Sequence, residues 1–338
     1  MKILYAIQGT GNGHVARARE VIPVLQSFGE VDVLLSGDQS QVKLPVQPKY
    51  HSKGLTFIYD SKGGISYTKT LLKNDPVRIY REIRQLPIQD YDVVINDFEF
   101  VSAWACKLKG KPCFGLSHQA ALTSPWVPKP NKIDPIGKLI IHHYAPVTKA
   151  IGFHFFAYDR HIYTPVIRKE VRDLIPENHG HITVYLPAYS VREVEKVVSL
   201  VQDRSFHLFS KEVNDPVRKG NLEVFPISSE GFLESVRTSE GVLTSAGFET
   251  PAEALFLGKK VAVIPIRGQL EQGYNAAAMA QMGIPVFDKF SHKVIPELKA
   301  WLERSAPRPY AFRDQLFQIL ESEIFSEIRA QALAFTDR

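Results

Sequence analysis

Cysteine is nearly absent: Cys106 and Cys113 are the only two in 338 residues, and their spacing suits neither a disulfide framework nor a metal knuckle. That scarcity fits a reducing compartment, so the expected location is cytoplasmic. No run of 18 apolar residues occurs, and Met1 leads straight into an apolar strand pattern with no signal-peptide profile. Internal repeats and low-complexity tracts are missing too. There is no Walker A loop and no DxD-type metal site is apparent, so no metal and no cofactor are expected. Acidic residues are in deficit only in the first half. Residues 1–155 hold 19 Lys and Arg against 12 Asp and Glu, and the remainder holds 22 against 24. A solvated surface, an anionic membrane surface or an acidic acceptor would each suit the basic half. A nucleic-acid partner is not expected, because no nucleic-acid motif accompanies the charge.

What is present is an alternation of short β-branched runs with helical patterns, which predicts an α/β fold with mostly parallel sheets covered on both faces. The first-half strands are expected at Lys2–Gln8, Val31–Ser36, Leu55–Tyr59, Tyr91–Asn96 and Pro112–Leu116. Helices are expected between them at Ala16–Phe28, Pro76–Leu86 and Phe100–Leu108. From Thr123 to Pro165 a Pro- and aromatic-rich stretch interrupts the pattern, with one helix at Lys138–Ala150. It restarts with strands at His181–Leu186, Ser205–Phe209, Leu222–Pro226, Gly241–Thr244, Lys260–Ile264 and Pro285–Phe287, and closes with helices at Val294–Glu303 and Pro309–Leu333. Two doubly wound, Rossmann-like domains facing across a cleft are expected: residues 1–160, residues 161–310, and a closing helix in 311–338 that could cross back. Ligands of such sheets bind beyond the carboxyl ends of the strands.

Directly after the first strand comes Gly9-Thr10-Gly11-Asn12-Gly13-His14, opening a helix. A dinucleotide fingerprint would need Gly in place of His14, which disfavours a dehydrogenase. The loop instead presents one imidazole at a helix N-terminus, with Gly11 and Gly13 expected against a ligand. Asn96-Asp97-Phe98-Glu99 ends a later strand and offers a carboxylate that could reach that ring; Glu99 reads as a cap or a solvated group. His118, ending the fifth strand, is either a hydrogen-bonded structural residue or an acceptor-binding or second acid–base group. Arg17 reads as a surface helix residue, or one near a phosphate.

In the second half, Ser245-Ala246-Gly247-Phe248-Glu249-Thr250 joins a strand to a helix through small residues. Such a turn lets a ligand approach the backbone, and the helix start favours an anion, most often a phosphate. Glu253, one turn on, could accept from a pair of ribose hydroxyls. Together with Glu271, Gln272 and Asn275 this reads as a pocket for a nucleotide diphosphate whose sugar faces Glu271 and Gln272.

From about Gly241 to Pro285 the chain resembles the donor-binding block of GT-B nucleotide-sugar glycosyltransferases, both the UDP-glycosyltransferases and the lipid-linked N-acetylglucosamine transferase of peptidoglycan synthesis. Ser245 stands where many UDP-glycosyltransferases have a diphosphate-contacting His, and Glu271 where they have Asp. The resemblance implies that His14 is the base and Asp97 its orienter. It further implies that Ser245, Ala246, Gly247 and Thr250 hold the diphosphate, Glu253 the ribose, and Glu271, Gln272 and Asn275 the sugar, with Ile227 beside the nucleobase. The expected activity is metal-independent, inverting transfer from a nucleotide sugar, UDP foremost, to a hydroxyl acceptor that is saccharide, lipid-linked or small. A UDP-sugar epimerase or hydrolase of the same fold, or a non-catalytic nucleotide-sugar-binding protein, is the alternative. The Lys- and aromatic-rich stretch Trp126–Phe156 is either core plus ordinary surface or an acceptor-side rim, the latter placing the protein on the inner face of a membrane.

Overall fold

The computed structural model describes residues 1–10, 12–37, 44–55, 70 and 74–330. In the first half, strands β1 (Lys2–Gln8), β2 (Glu30–Ser36), β3 (Tyr50–Ser52), β4 (Val93–Asp97), β5 (Phe114–Ser117), β6 (Lys149–Phe153) and β7 (Ile162–Tyr163) form one sheet in the order β3-β2-β1-β4-β5-β6-β7. The connections contain α1 (Asn12–Gln26), α2 (Pro76–Gln85), α3 (Phe100–Lys109), α4 (His118–Ala121) and α5 (Pro135–His143). Every pairing in this sheet is parallel. The interior strand β1 shows why: Ile3 through Ile7 are all fully buried, so both faces must be covered by helices.

After the short α6 (Lys169–Arg172), the second half adds β8 (His181–Tyr185), α7 (Val191–Val198), β9 (Ser205–Ser210), β10 (Val217–Lys219), β11 (Leu222–Pro226), α8 (Ser229–Thr238), β12 (Gly241–Ser245), α9 (Glu249–Phe256), β13 (Lys260–Ile264) and α10 (Leu270–Gln281). The second sheet runs β10-β11-β9-β8-β12-β13, with β10 the antiparallel edge. The chain ends in α11 (Ile295–Leu302) and α12 (Leu316–Leu320), continued by a π turn at Glu321–Phe325. In each sheet the winding reverses between two neighbouring strands, β1 and β4 in the first, β8 and β12 in the second. Crevices open at such reversal points, beyond the carboxyl ends.

Several expected elements moved. The stretch Thr123–Pro165 does not merely interrupt the alternation; it supplies β6 and β7 to the first sheet. A five-residue strand containing Lys149 and Gly152 carries little β signal of its own. The helix expected over Lys138–Ala150 is α5 instead, because Asp134 caps it by accepting from Ile136 and Gly137 N–H, with Pro135 in its first turn. Pro285–Phe287 is no strand but a single bridge, Val263 to Val286. Helix α1 begins within the glycine loop, at Asn12, four residues before the expected start at Ala16. Gly11, residues 56–59 of the expected strand Leu55–Tyr59 and residues 331–333 of the expected last helix lie outside the described residues. The C-terminal segment packs on the first half: Phe28 stacks on Phe317 and Phe325 at 4.9 and 4.0 Å. Lys149 pairs with Glu323 at 3.0 Å.

Candidate active site

Helix α1 starts where β1 ends, so His14 stands at the carboxyl edge of the first sheet. Asp97, last residue of β4, lies in register with Ile7 of β1. The two meet at His14 Nδ1 and Asp97 Oδ1, 2.8 Å apart. Asp97 is fully buried and held from two further sides. Arg17 donates to it through Nε at 3.2 Å and Nη2 at 2.6 Å, and the Tyr5 hydroxyl donates at 3.3 Å. Burial opposes ionisation of Asp97, but the Arg17 guanidinium, then His14, outweigh it and hold the carboxyl below its ordinary value.

The turn after Asp97 is strained. Phe98 has φ of 52°, a left-handed conformation that costs a non-glycine residue ~1–2 kcal/mol. Neighbouring contacts hold it there: the Asn96 side chain bonds the backbone of Glu99 on both sides, and Glu99 caps α3 through Val101 and Ser102 N–H. Glu99 is therefore the cap and takes no part in the site. The kink turns the Phe98 ring into the cleft, against Tyr144 at 4.9 Å.

His14 Nε2 faces the side amide of Gln119, whose Nε2 lies 3.4 Å away and also donates to Glu271 at 2.9 Å. Nδ1 faces both the Asp97 carboxylate and Arg17 Nη2, the latter 3.1 Å away. The carboxylate at Nδ1 and the amide N–H at Nε2 together favour the tautomer with its proton on Nδ1. Its Nε2 lone pair, in long contact with Gln119 at 3.4 Å, can then accept a proton.

The imidazole lines the smaller of two adjoining cavities. The smaller, about 140 Å³, is lined by His14, Phe98, Gln119, Ile140, Tyr144 and Glu271 among others. The larger, about 510 Å³, lies over the carboxyl ends of the second sheet and the start of α9. Thr10 and Gln269 line both, so the two adjoin. At one end of the larger cavity are Ser245, Gly247 and Thr250; Tyr185, Phe209, Ile227 and Phe232 form an aromatic and apolar wall. Gly13 is also on its lining.

Not every expected site residue reaches a cavity. His118 is 1% exposed, stacks on Phe248 at 3.9 Å, and is tied through Nδ1 to the Phe153 carbonyl and through Nε2 to Asn275 Oδ1. Burial pushes its pKa down. Of the two roles expected for it, the structural one fits: the ring is a strut joining the start of α4 and β6 to α10, and it lines neither cavity. Asn275 is the other end of that strut; its amide donates to the Ala246 carbonyl, and both residues are fully buried. Neither Asn275 nor Ala246 presents a side chain to a ligand.

Glu253 does line the larger cavity, but Arg168 grips its carboxylate through Nε and Nη2 at 2.6 and 2.8 Å. Burial pushes the Glu253 carboxyl up, against the two-pronged guanidinium contact, which favours the carboxylate. A ribose would therefore meet a carboxylate already engaged. Glu271 and Gln272 point apart, Glu271 to the smaller cavity and Gln272 to the larger. The Gln272 amide is also occupied, accepting from Ile266 N–H and donating to Gln269.

Sequence reasoning missed Gln119, Glu249 and Arg168, and left Arg17 between a surface position and one near a phosphate. Arg17 is no surface residue; it is 3% exposed and also donates to Glu249 at 2.9 Å. The signal for Arg17 was its place one turn after His14, on the same helix face. Gln119 adjoins His118, the neighbour that drew the interpretation. Arg168 precedes a four-residue helix and carries no local signal. Among the described residues no group of three or more His, Cys, Asp or Glu could hold a metal ion. The literal Asp-x-Asp triplet, Asp90-Tyr91-Asp92, lies before β4, at the opposite edge of the sheet from Asp97.

Residues 1–304 match the family model described as Glycosyl transferase family 1. No curated protein matches the sequence. Several solved structures share the fold. The glycotransferase of kitacinnamycin is 16% identical, with 97% of this chain and 95% of that one covered and a TM-score of 0.58. Phytolacca americana UGT2, complexed with UDP-2fluoro-glucose and pterostilbene, is 14% identical over 97% and 99%, with a TM-score of 0.56. MurG of Acinetobacter baumannii is 12% identical over 94% and 92%, with a TM-score of 0.52. At such identities the likeness speaks for the architecture, which is GT-B, as the resemblance of the donor block implied.

Proposed function

The chain belongs to glycosyl transferase family 1 and is a glycosyltransferase, and we propose that it moves a sugar, with inversion and without a metal, from a nucleoside diphosphate donor in the larger cavity to a hydroxyl acceptor in the smaller one. The observation that carries this reading is His14, backed by Asp97, on the lining of the smaller cavity, which adjoins the larger one at Thr10 and Gln269. The acceptor oxygen attacks the anomeric carbon from the face opposite the nucleotide, and His14 Nε2 takes its proton. Asp97 stabilises the resulting imidazolium. As the new C–O bond forms, the bond from the anomeric carbon to the diphosphate breaks. The departing charge is met by the N–H groups opening α9 and the hydroxyls of Ser245 and Thr250. The aromatic wall with Ile227 suits a nucleobase. Among fold neighbours, Phytolacca americana UGT2 is complexed with UDP-2fluoro-glucose and VinC with DTDP, so uridine and thymidine diphosphates are the leading donors to test, UDP first.

Calorimetric titration with UDP, dTDP, GDP and CMP tests the donor site. One diphosphate is expected to bind with a Kd on the order of micromolar. A Cβ placed on Gly247 meets no heavy atom within 4 Å beyond its two chain neighbours, so Gly247→Val should fold and take ligand space. Its affinity should fall about tenfold or more, roughly 1.4 kcal/mol. Equal binding by this variant, or none by wild type, would remove the donor assignment.

The acceptor side supports a membrane-borne substrate. Helix α5 lines the smaller cavity with Gly137, Ile140 and Ile141, while Ile136 and Leu139 on the same helix are 46% and 59% exposed. Trp126 is 70% exposed, and Lys129, Lys132 and Lys138 are exposed alongside. Asp134 is the single acidic residue from Thr123 to Tyr158, and it is spent capping α5. Among the described residues no helix is long and apolar enough to cross a membrane. The exposed apolar and Lys side chains of this rim suit contact with an anionic membrane surface. Each Lys contributes ~1 kcal/mol towards anionic lipid. Sedimentation with phosphatidylglycerol vesicles at low salt should capture the protein, and Trp126→Ser with Leu139→Ser should release it. Equal recovery with and without vesicles would leave a free-standing acceptor as the reading.

A further inference from the structure

The larger cavity poses an electrostatic problem for any diphosphate. Of its described lining residues, Arg168, Glu249 and Glu253 are the charged ones, one cation against two anions. Arg168 is committed to Glu253, and also contacts Glu170. Glu249 is the first residue of α9, so its carboxylate stands at the helix start, where an anion is otherwise best held. It reaches across the cleft to the first half. Arg17 Nη1 donates to it at 2.9 Å, and a Cβ placed on Gly13 would lie 2.6 Å from its Oε2. The glycine at position 13 thus makes room for a carboxylate of this same chain. The Glu249 side chain is still 28% exposed, and so is open to exchange with a solute anion.

Resting on the donor site proposed above, we infer that Glu249 is a built-in competitor for the donor's diphosphate, holding the anion position and the Arg17 guanidinium until a donor displaces it. The same Arg17 supports Asp97 through its other two nitrogens. One side chain therefore touches both the orienter of the base and the group that yields to the donor. Glu249 tunes donor affinity through Arg17 and takes no part in bond making.

The test is titration of wild type and Glu249→Gln with UDP and with uridine, or with dTDP and thymidine if that is the nucleotide wild type binds. Removing one like charge beside the diphosphate should tighten UDP about tenfold and leave uridine unchanged. Glu249→Ser carries the same expectation should the Gln variant not fold. UDP binding that is equal or weaker in the variant would overturn the inference. So would equal tightening of UDP and uridine, since that would mean a reshaped cavity rather than a removed charge. Failure of wild type to bind any nucleotide would instead sink the donor reading itself, and the inference with it.

Discussion

His14→Ala is expected to lower sugar transfer by ~10²–10⁴-fold while leaving nucleotide affinity essentially unchanged, the range a positioned general base contributes. The separation of these two effects follows from where the ring lies. His14 lines the smaller cavity and is not on the lining of the larger one, so its loss removes the proton acceptor without touching the donor's contacts. When the ring is removed, Asp97 keeps its bonds from Arg17 and Tyr5, so truncation should cost little stability. Initial rates with the cognate donor, alongside calorimetry of the nucleoside diphosphate alone, decide it. Unchanged transfer would move the base elsewhere. Lost binding would make His14 a donor contact, and a wild type that binds without turnover would favour the non-catalytic alternative.

Asp97→Asn should be nearly as damaging, on the order of 10³-fold or more in kcat, although it changes one atom. An amide can turn its N–H toward Nδ1. The imidazole proton then moves to Nε2, and the ring no longer has a lone pair facing the acceptor. The buried Arg17 meanwhile loses its principal counter-charge and keeps Glu249 alone. Breaking a buried pair from one side costs ~3–5 kcal/mol, so a fall in thermal stability should accompany the loss of rate. His14→Ala/Asp97→Asn should be no slower than His14→Ala, because the two residues act as one unit. Additive losses would show instead that Asp97 serves the fold and not the base.

How much of this was legible beforehand depends on whether a partner is local. Asn12-Gly13-His14 and Asp97 were readable as strand-end positions, because parallel strands announce themselves as apolar runs and their carboxyl ends are where crevices open. Ser245 to Thr250 were readable because small residues before a helix are a local arrangement. His118 misled, since an imidazole at a strand end looks the same in sequence whether it faces a cleft or Asn275, 157 residues on. For Glu253 the sequence placed the carboxylate on the larger cavity but gave no sign of Arg168, which bonds it from outside the motif.

By itself, then, the sequence determined the alternation that makes two parallel sheets, and the strand ends at which His14, Asp97 and the Ser245–Thr250 turn must stand. Only the tertiary structure decided which charges meet. The Arg17–Glu249 contact joins residues 232 apart, and nothing in their spacing encodes it. Periodicity reports which face of an element is buried, whereas the partner of a buried charge is chosen by how two halves of the chain close on each other.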